Sequence, residues 1–504
     1  MFLSYRPFYP ATLIKRRPDA EVKMQKINSN FIAGAWVPSV DVLKNINPSD
    51  TNDVIGEFAS AAVSETEQAI DSAFAAFPAW SRSSPQLRHD MLKNVGDEIL
   101  VRKEELGRLL SREEGKTLAE GVAEVVRAGQ IFQFYAGESL RIAGDRLDSA
   151  RTNVEIEIAR EAVGVVGLIT PWNFPIAIPA WKIAPALAYG NCVVFKPAEL
   201  VPASAHALTE ILARSGIPEG VFNLVPWQVS VAGQTILNSA KVAAVSFTGS
   251  VATGRKIAQS CVLSSPMKKM QLEMGGKNPL IVLDDADLDF AIECAVNGAY
   301  FATGQRCTAS SRLIVTENIH DRFVAGLSER IRELVVDHAL KADSQMGPVV
   351  DQKQFDQDNE YIRVGIDEGA KLSVGGEQLK RGTPGFYLSP ALFTEANNDM
   401  RIAREEIFGP IAAVIRVADY ESALQVANDT EFGLSAGICT TSLKYAQHFK
   451  RNSEAGTVMV NLPTAGTDYF APFGGRKGSS YGSREQGRYA VEFYTTVKTA
   501  YTTS

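Results

Sequence analysis

A thiol, a carboxylate and a carboxamide, Cys307, Glu273 and Asn173, each stand beside glycine or proline in a polar break between apolar runs. Cys307 lies in FATGQRCTASS, where Gly304 interrupts a helical stretch and places the sulfur at a turn beside backbone N–H groups. Such surroundings lower a thiol's pKa and supply donors for an oxyanion. Glu273 ends an apolar strand in QLEMGGKNP, before two glycines that allow a sharp turn, as a general base over a cleft would. Asn173 follows the strand VGVVGLI in TPWNFP, at the carboxyl edge where open α/β sheets bind ligands, and its amide can donate to a developing oxyanion. Each alone has a blander reading: a core cysteine, a surface glutamate before a turn, a turn-capping asparagine. The other cysteines, Cys192, Cys261, Cys294 and Cys439, read as core residues.

A second group suits a nucleotide. VVFKPAE sets Lys196 and Glu199 just beyond a strand, where a basic and an acidic group can bond ribose hydroxyls, although a solvated charge pair at a helix start reads equally well. FTGSVATG follows the strand VAAVSF and opens a helix, so Gly249 and Ser250 can offer N–H groups to a pyrophosphate. A strict G-x-G-x-x-G is absent.

These positions need an α/β frame, and the pattern predicts one. Residues 64–140 read as helices: Ser64 with Glu67 forms a capping-box pattern, Ile70, Phe74 and Phe77 recur at helix spacing, and Leu87, Met91, Val95 and Ile99 continue in a second helix. From Val163, short β-rich runs (VGVVGLI, CVVFK, VFNLV, VAAVSF) alternate with helical segments, the mark of a parallel sheet wound with helices. A second series starts near Asn278 with NPLIVL, an apolar helix from Asp287 through Thr303, and SRLIVT. Val154, Ile156 and Ile158 alternate with Glu155 and Glu157, and FYTTVKTAYT is also strand-like, so these two segments are expected to form an exposed ribbon suited to pairing with another subunit.

The 504 residues exceed one ordinary core, and 51 basic against 58 acidic groups, net −7, give no electrostatic reason to bind nucleic acid or an anionic membrane. Five scattered cysteines without a C-x-x-C pair fit a reducing compartment, and five histidines show no metal-ligand spacing, so no metal is expected. No apolar run approaches the roughly 20 residues of a spanning helix, and a cytoplasmic location is expected. Residues 1–23 carry three prolines and no period, which predicts a floppy tail ahead of a start at Met24.

TPWNFP, LEMGGKNP and GQRC, in that order and about 100 and 30 residues apart, closely resemble the signature of the NAD(P)-dependent aldehyde dehydrogenase superfamily over residues 28 to about 500. The resemblance implies that Cys307 is the nucleophile, Glu273 the general base and Asn173 an oxyanion donor, with Lys196 assisting near the cofactor and Asn173. It implies NAD or NADP as cofactor, Glu199 on the adenosine ribose, Gly249 and Ser250 at the pyrophosphate, Thr170 and Trp172 in the same pocket, and Glu406 and Phe408 of EEIFGP at the nicotinamide ribose and ring. It places Arg127, Phe174, Trp181, Arg306 and Phe473 along the substrate passage. Two guanidiniums there suit the far carboxylate of an acidic semialdehyde, with Arg127 the expected clamp. The stretch NLPTAGTDYFAPFGGRKGSSYGSREQG resembles that of bacterial α-ketoglutaric semialdehyde (2,5-dioxopentanoate) dehydrogenases, which complete sugar-acid breakdown and yield 2-oxoglutarate. Succinate or glutarate semialdehyde is the alternative substrate, and Trp181, where succinate enzymes commonly carry arginine, favours the longer oxo acid. A CoA-acylating enzyme and a non-catalytic binding protein on this fold are the other readings; intact Cys307 and Glu273 argue against the binding protein, and retention of Glu273 as a hydrolytic base favours the free acid over CoA acylation.

The implied architecture is two doubly wound α/β domains, a Rossmann-type cofactor domain (24–146 and 164–275) and a catalytic domain (276–478), plus a small β oligomerisation ribbon (147–163 and 479–504). The expected assembly is a homodimer or homotetramer.

Overall fold

The computed structural model describes residues 28–226 and 231–503, so the expected tail and the start at Met24 lie outside the described residues. Strands Val165–Ile169 and Cys192–Lys196 are buried almost throughout, as the interior of a parallel sheet covered on both faces requires. They are central in an eight-stranded sheet ordered Ser480–Tyr481, Lys269–Glu273, Val242–Thr248, Val165–Ile169, Cys192–Lys196, Phe222–Leu224, Asn30–Ile32 and Ala35–Val37. The five inner strands are parallel and the edges antiparallel. The chain runs outward from Val165–Ile169 through Phe222–Leu224, then returns to lay Val242–Thr248 on the other side. That reversal is a topological switch point, where a crevice must open at the carboxyl ends of the strands.

A seven-stranded sheet holds Pro279–Val282, Arg312–Thr316, Ile411–Val417 and Ser435–Cys439 at its centre, with Lys371–Val374 as its antiparallel edge. The ribbon is also present: Thr495–Thr503 pairs antiparallel with Val154–Ala162, from Thr495 opposite Ala162 to Thr503 opposite Val154, and Asp145–Asp148 flanks them. Its C-terminal part is shorter than the sequence suggests. Ser480–Tyr481 is the edge strand of the first sheet, and Phe493 and Tyr494 sit in that sheet's core.

The first helix, Val63–Trp80, begins before Ser64, and the carboxylate that reaches back to the entering chain is Glu65, which accepts from the Ala62 N–H. Its buried stripe is Thr66, Ala69, Ile70, Ala73 and Trp80, which leaves Phe74 52% exposed rather than in the core. In the second helix, Pro85–Val101, Leu92, Val95 and Ile99 face inward while Leu87 is exposed.

Candidate active site

Thr170, Lys196, Gly249 and Glu273 all fall at the carboxyl ends of adjacent parallel strands, so the sheet itself gathers them. A cavity of about 440 Å³ opens at this edge, walled by Trp172, Asn173, Glu199, Gly249, Ser250 and Cys307, and closed from the other domain by Glu406 and Phe408. Ser250 caps helix Val251–Leu263 by accepting from the Thr253 N–H, and the free N–H groups of that first turn make an anion site. The Thr248 hydroxyl is buried in the wall without a partner among the described residues. Glu199 lies 3.9 Å from the Lys196 ammonium. Across the cavity, Glu406 accepts from the Gly276 N–H at 2.9 Å, and Phe408, held at φ 68°, meets Trp172 edge-on at 5.4 Å. Two carboxylates for ribose hydroxyls, with a helix N-terminus also on the wall, fit a dinucleotide. Burial pushes the Glu406 carboxyl up to about 7, against the pull of the Gly276 N–H and the Lys277 charge.

Thr170 and Lys196 do not line this cavity; the Thr170 N–H donates to the Lys196 carbonyl at 3.2 Å and ties two strand ends together. Burial lowers the Lys196 pKa, opposed by Glu199. The ammonium that reaches Asn173 is Lys116, at 2.7 Å from its carbonyl.

Cys307 follows three consecutive left-handed residues, Ala302, Thr303 and Gly304 (φ 50°, 57° and 66°). Two of these are not glycine, a strained turn of the kind concentrated at functional sites. Gly304 admits no side chain, since a Cβ would lie 2.3 Å from the Gly409 carbonyl. The turn gives the Cys307 N–H no carbonyl acceptor among the described residues and leaves it facing its own sulfur. Asn173, buried, donates one amide hydrogen to the Gln305 carbonyl at 2.9 Å and keeps the other, which brings the carboxamide to the loop that carries Cys307. The expected lowering of the thiol pKa is not found: burial, and then the charges of Glu406 and Glu273, push Cys307 up to about 12. Burial, with carboxylates distant in sequence adding to it, outweighs the local turn.

Glu273 is buried at the end of its strand, where Ser480 donates to its Oε2. Burial, followed by repulsion from Glu485, raises its carboxyl well above the usual range, with Ser480 opposing. It lines no described cavity, but when ionised it repels a thiolate at Cys307.

A second cleft, about 490 Å³, is lined by Arg127, Phe174 and Arg306, with Lys116, Asp468 and Tyr469. Trp181 and Phe473 are buried behind it with ring centroids 5.7 Å apart, and the Arg127 guanidinium lies 5.9 Å from the Trp181 ring. Arg127 is already engaged: it donates to the Thr467 carbonyl, to the Thr467 hydroxyl at 3.1 Å and to Gln486 at 2.9 Å. Arg306 spends only Nη2, on the Asn297 and Gly298 carbonyls, and Nη1 has no acceptor among the described residues. The guanidinium nitrogen left without an acceptor among the described residues is therefore Nη1 of Arg306, whereas both terminal nitrogens of Arg127 are engaged. Among the described residues no group of three or more His, Cys, Asp or Glu is placed to hold a metal ion, and no helix is long and apolar enough to cross a membrane.

Several site residues escaped sequence reasoning. Gln354 and Gln357 line the dinucleotide cavity and both donate to the Ile407 carbonyl, fixing the Glu406–Phe408 loop, yet nothing in their helical stretch marks them. Lys182 did carry a signal, as a lone charge in the apolar run AIPAWKIAPALA. It is fully buried and donates to Ser246 at 2.7 Å and to Glu485.

The aldehyde dehydrogenase family model matches residues 36–500. The α-ketoglutaric semialdehyde dehydrogenase of Bacillus subtilis is 43% identical, over 94% of this chain and 97% of that one. The 2,5-dioxopentanoate dehydrogenase of Saccharolobus solfataricus is 41% identical, over 93% and 98%. Among solved structures, betaine aldehyde dehydrogenase from Staphylococcus aureus in complex with NAD+ matches with TM-score 0.92 at 34% identity, covering 94% of this chain and 95% of that one. An NADP-dependent enzyme of E. coli matches with TM-score 0.91 at 33% identity, over 95% and 98%.

Proposed function

The chain belongs to the aldehyde dehydrogenase family, and from that premise we propose that it oxidises 2,5-dioxopentanoate to 2-oxoglutarate with NAD or NADP. The observation that carries the substrate is the second cleft, where Arg306 keeps one guanidinium nitrogen free while Arg127 and Lys116 share the lining with Glu120, Glu124 and Asp468. The two relatives at 43% and 41% identity, named for this aldehyde, support the same choice. The free Arg306 nitrogen can give a terminal carboxylate a charge-assisted hydrogen bond. Arg127, engaged by Thr467 and Gln486, adds field and holds the wall.

The bound cofactor supplies the hydride acceptor. The protein's own groups do the rest. Cys307 Sγ, its proton released to solvent, attacks the aldehyde carbon, and the remaining Asn173 amide hydrogen and the Cys307 N–H receive the oxyanion. Loss of hydride from the thiohemiacetal leaves a thioester on Cys307. Glu273 then takes a proton from water, whose attack releases the acid and restores the thiol. In this arrangement Glu273 is held by Ser480, so hydrolysis requires the carboxyl to turn toward the thioester. The ribbon, with Val497 and Tyr501 more than half exposed, is read as a subunit contact of a homodimer or homotetramer. Five free cysteines support a reducing, cytoplasmic setting.

Arg306→Ala and Arg127→Ala test the substrate. The first is expected to lower kcat/KM for 2,5-dioxopentanoate about 10- to 100-fold, with a neutral aldehyde of equal length much less affected, and the second to have the smaller selective effect. Equal losses on the acidic and neutral aldehydes for both variants would refute a carboxylate grip.

A further inference from the structure

One helix, Leu118–Ser139, reaches all three loops of the site with three side chains. Glu120 Oε1 accepts from the Ala302 N–H at 2.7 Å, at the first left-handed residue before Cys307. Glu124 Oε1, one turn on, accepts from the N–H groups of Ile176 and Ala177 at 2.9 and 3.0 Å, just after Asn173. Arg127 holds Thr467 and Gln486. Spacings of four and three residues put all three on one stripe of the helix.

Lys116, in the turn before that helix and 1% exposed, completes the device. Its ammonium donates to Glu124 Oε2 and to the Asn173 carbonyl, both at 2.7 Å, and lies 3.9 Å from the Phe174 ring centroid. Thr117 fixes Glu120 in turn, its N–H and hydroxyl donating to Oε2 at 3.0 and 2.7 Å. Thus the asparagine loop is gripped on a carbonyl by a cation and on two N–H groups by that cation's own counter-ion. Buried ion pairs are poor stabilisers compared with apolar residues of the same volume, so their use here points to geometry rather than to stability.

We propose that Lys116 and Glu124 are positioning residues for the oxyanion site: they set the Asn173 loop so that its amide and the Cys307 N–H converge on one oxygen, while Glu120 sets the nucleophile's turn. The proposal rests on Asn173 and the Cys307 N–H being the oxyanion donors.

The test is a double-variant cycle read by single-turnover hydride transfer, with cofactor Kd and melting temperature as checks on folding. Lys116→Met is expected to slow hydride transfer about 10- to 100-fold, leaving aldehyde KM and cofactor Kd within about twofold. Asn173→Ala is expected to slow the same step, and the double variant to be no slower than Asn173→Ala alone. Multiplying losses would overturn the proposal, because Lys116 would then act on something other than Asn173. An unimpaired Asn173→Ala would overturn the oxyanion reading and the proposal with it. If Lys116→Met fails to fold, the charge-matched pair Lys116→Met with Glu124→Gln takes its place in the cycle, with the same expected and overturning outcomes.

Discussion

Replacing Gly275 by alanine would place a methyl carbon 2.0 Å from Glu406 Oε2 and 2.5 Å from its carboxyl carbon. Neither contact can persist, and the obstructing atoms end a flexible side chain, so the fold survives and the carboxyl moves. Reaching ordinary van der Waals separation needs a shift of about 1.4 Å, enough to break the 2.9 Å bond from the Gly276 N–H to Oε1. Glu406 then loses the anchor that aims it into the dinucleotide cavity. A hydrogen bond to a charged group contributes about 1.5–3 kcal/mol, so the Kd for NAD is expected to weaken about 10- to 100-fold. Isothermal titration measures this directly, and a melting curve checks that the fold is intact. Gly276→Ala is the contrast, since its methyl would meet the Cys307 carbonyl at 2.6 Å, a backbone atom of the nucleophile's turn that cannot swing aside. There the loss should fall on kcat. Unchanged cofactor affinity in Gly275→Ala would refute the placement of Glu406 as a cofactor ligand.

With Glu406 proposed as a ribose ligand, cofactor binding is expected to depend on pH. Its carboxyl, pushed up to about 7 by burial, accepts more strongly from a ribose hydroxyl when ionised. The Kd is therefore expected to tighten about tenfold from pH 6 to pH 8 and then level off, and Glu406→Gln should abolish that slope. Asp358, buried and pushed up to about 8 by burial, tests the linkage in the second domain. With the folded pKa raised above the unfolded value of 3.8, the wild-type protein loses stability as pH rises from about 4 through 8. Asp358→Asn carries no such term. Its melting temperature relative to wild type should climb across that window, by the equivalent of a few kcal/mol, and stay level above it; a pH-independent difference would show that the aspartate is ionised in the folded protein.

What was legible in the sequence follows from distance along the chain. Asn173, Gly249 and Glu273 could be placed because parallel strands announce themselves as apolar runs, and the residues just past their carboxyl ends must meet at one edge. The turn at Cys307 was visible in Gly304, but the state of its thiol was not, because burial decides it first and the carboxylates of Glu406 and Glu273, distant in sequence, add to it. The Lys116 contact with Asn173 spans 57 residues, and its segment, EEGKT, has the composition of a solvated helix end. Ser480–Tyr481 is too short to carry a period, so a residue pair that completes the first sheet looked like part of the terminal ribbon. Arg127 had the right type and place for a carboxylate clamp, but only the structure places Thr467 and Gln486 on it.

The most direct test of acidic-semialdehyde oxidation by Cys307 is a kcat/KM series for 2,5-dioxopentanoate, succinic semialdehyde, glutaric semialdehyde and a neutral five-carbon aldehyde, with NAD and with NADP, followed by reduced-cofactor absorbance. The account predicts that 2,5-dioxopentanoate leads, that the neutral aldehyde trails it by at least about tenfold, that the product is the free acid without added CoA, and that Cys307→Ser removes the signal. A neutral aldehyde turned over as well as the acidic ones, or turnover that survives Cys307→Ser, would contradict it.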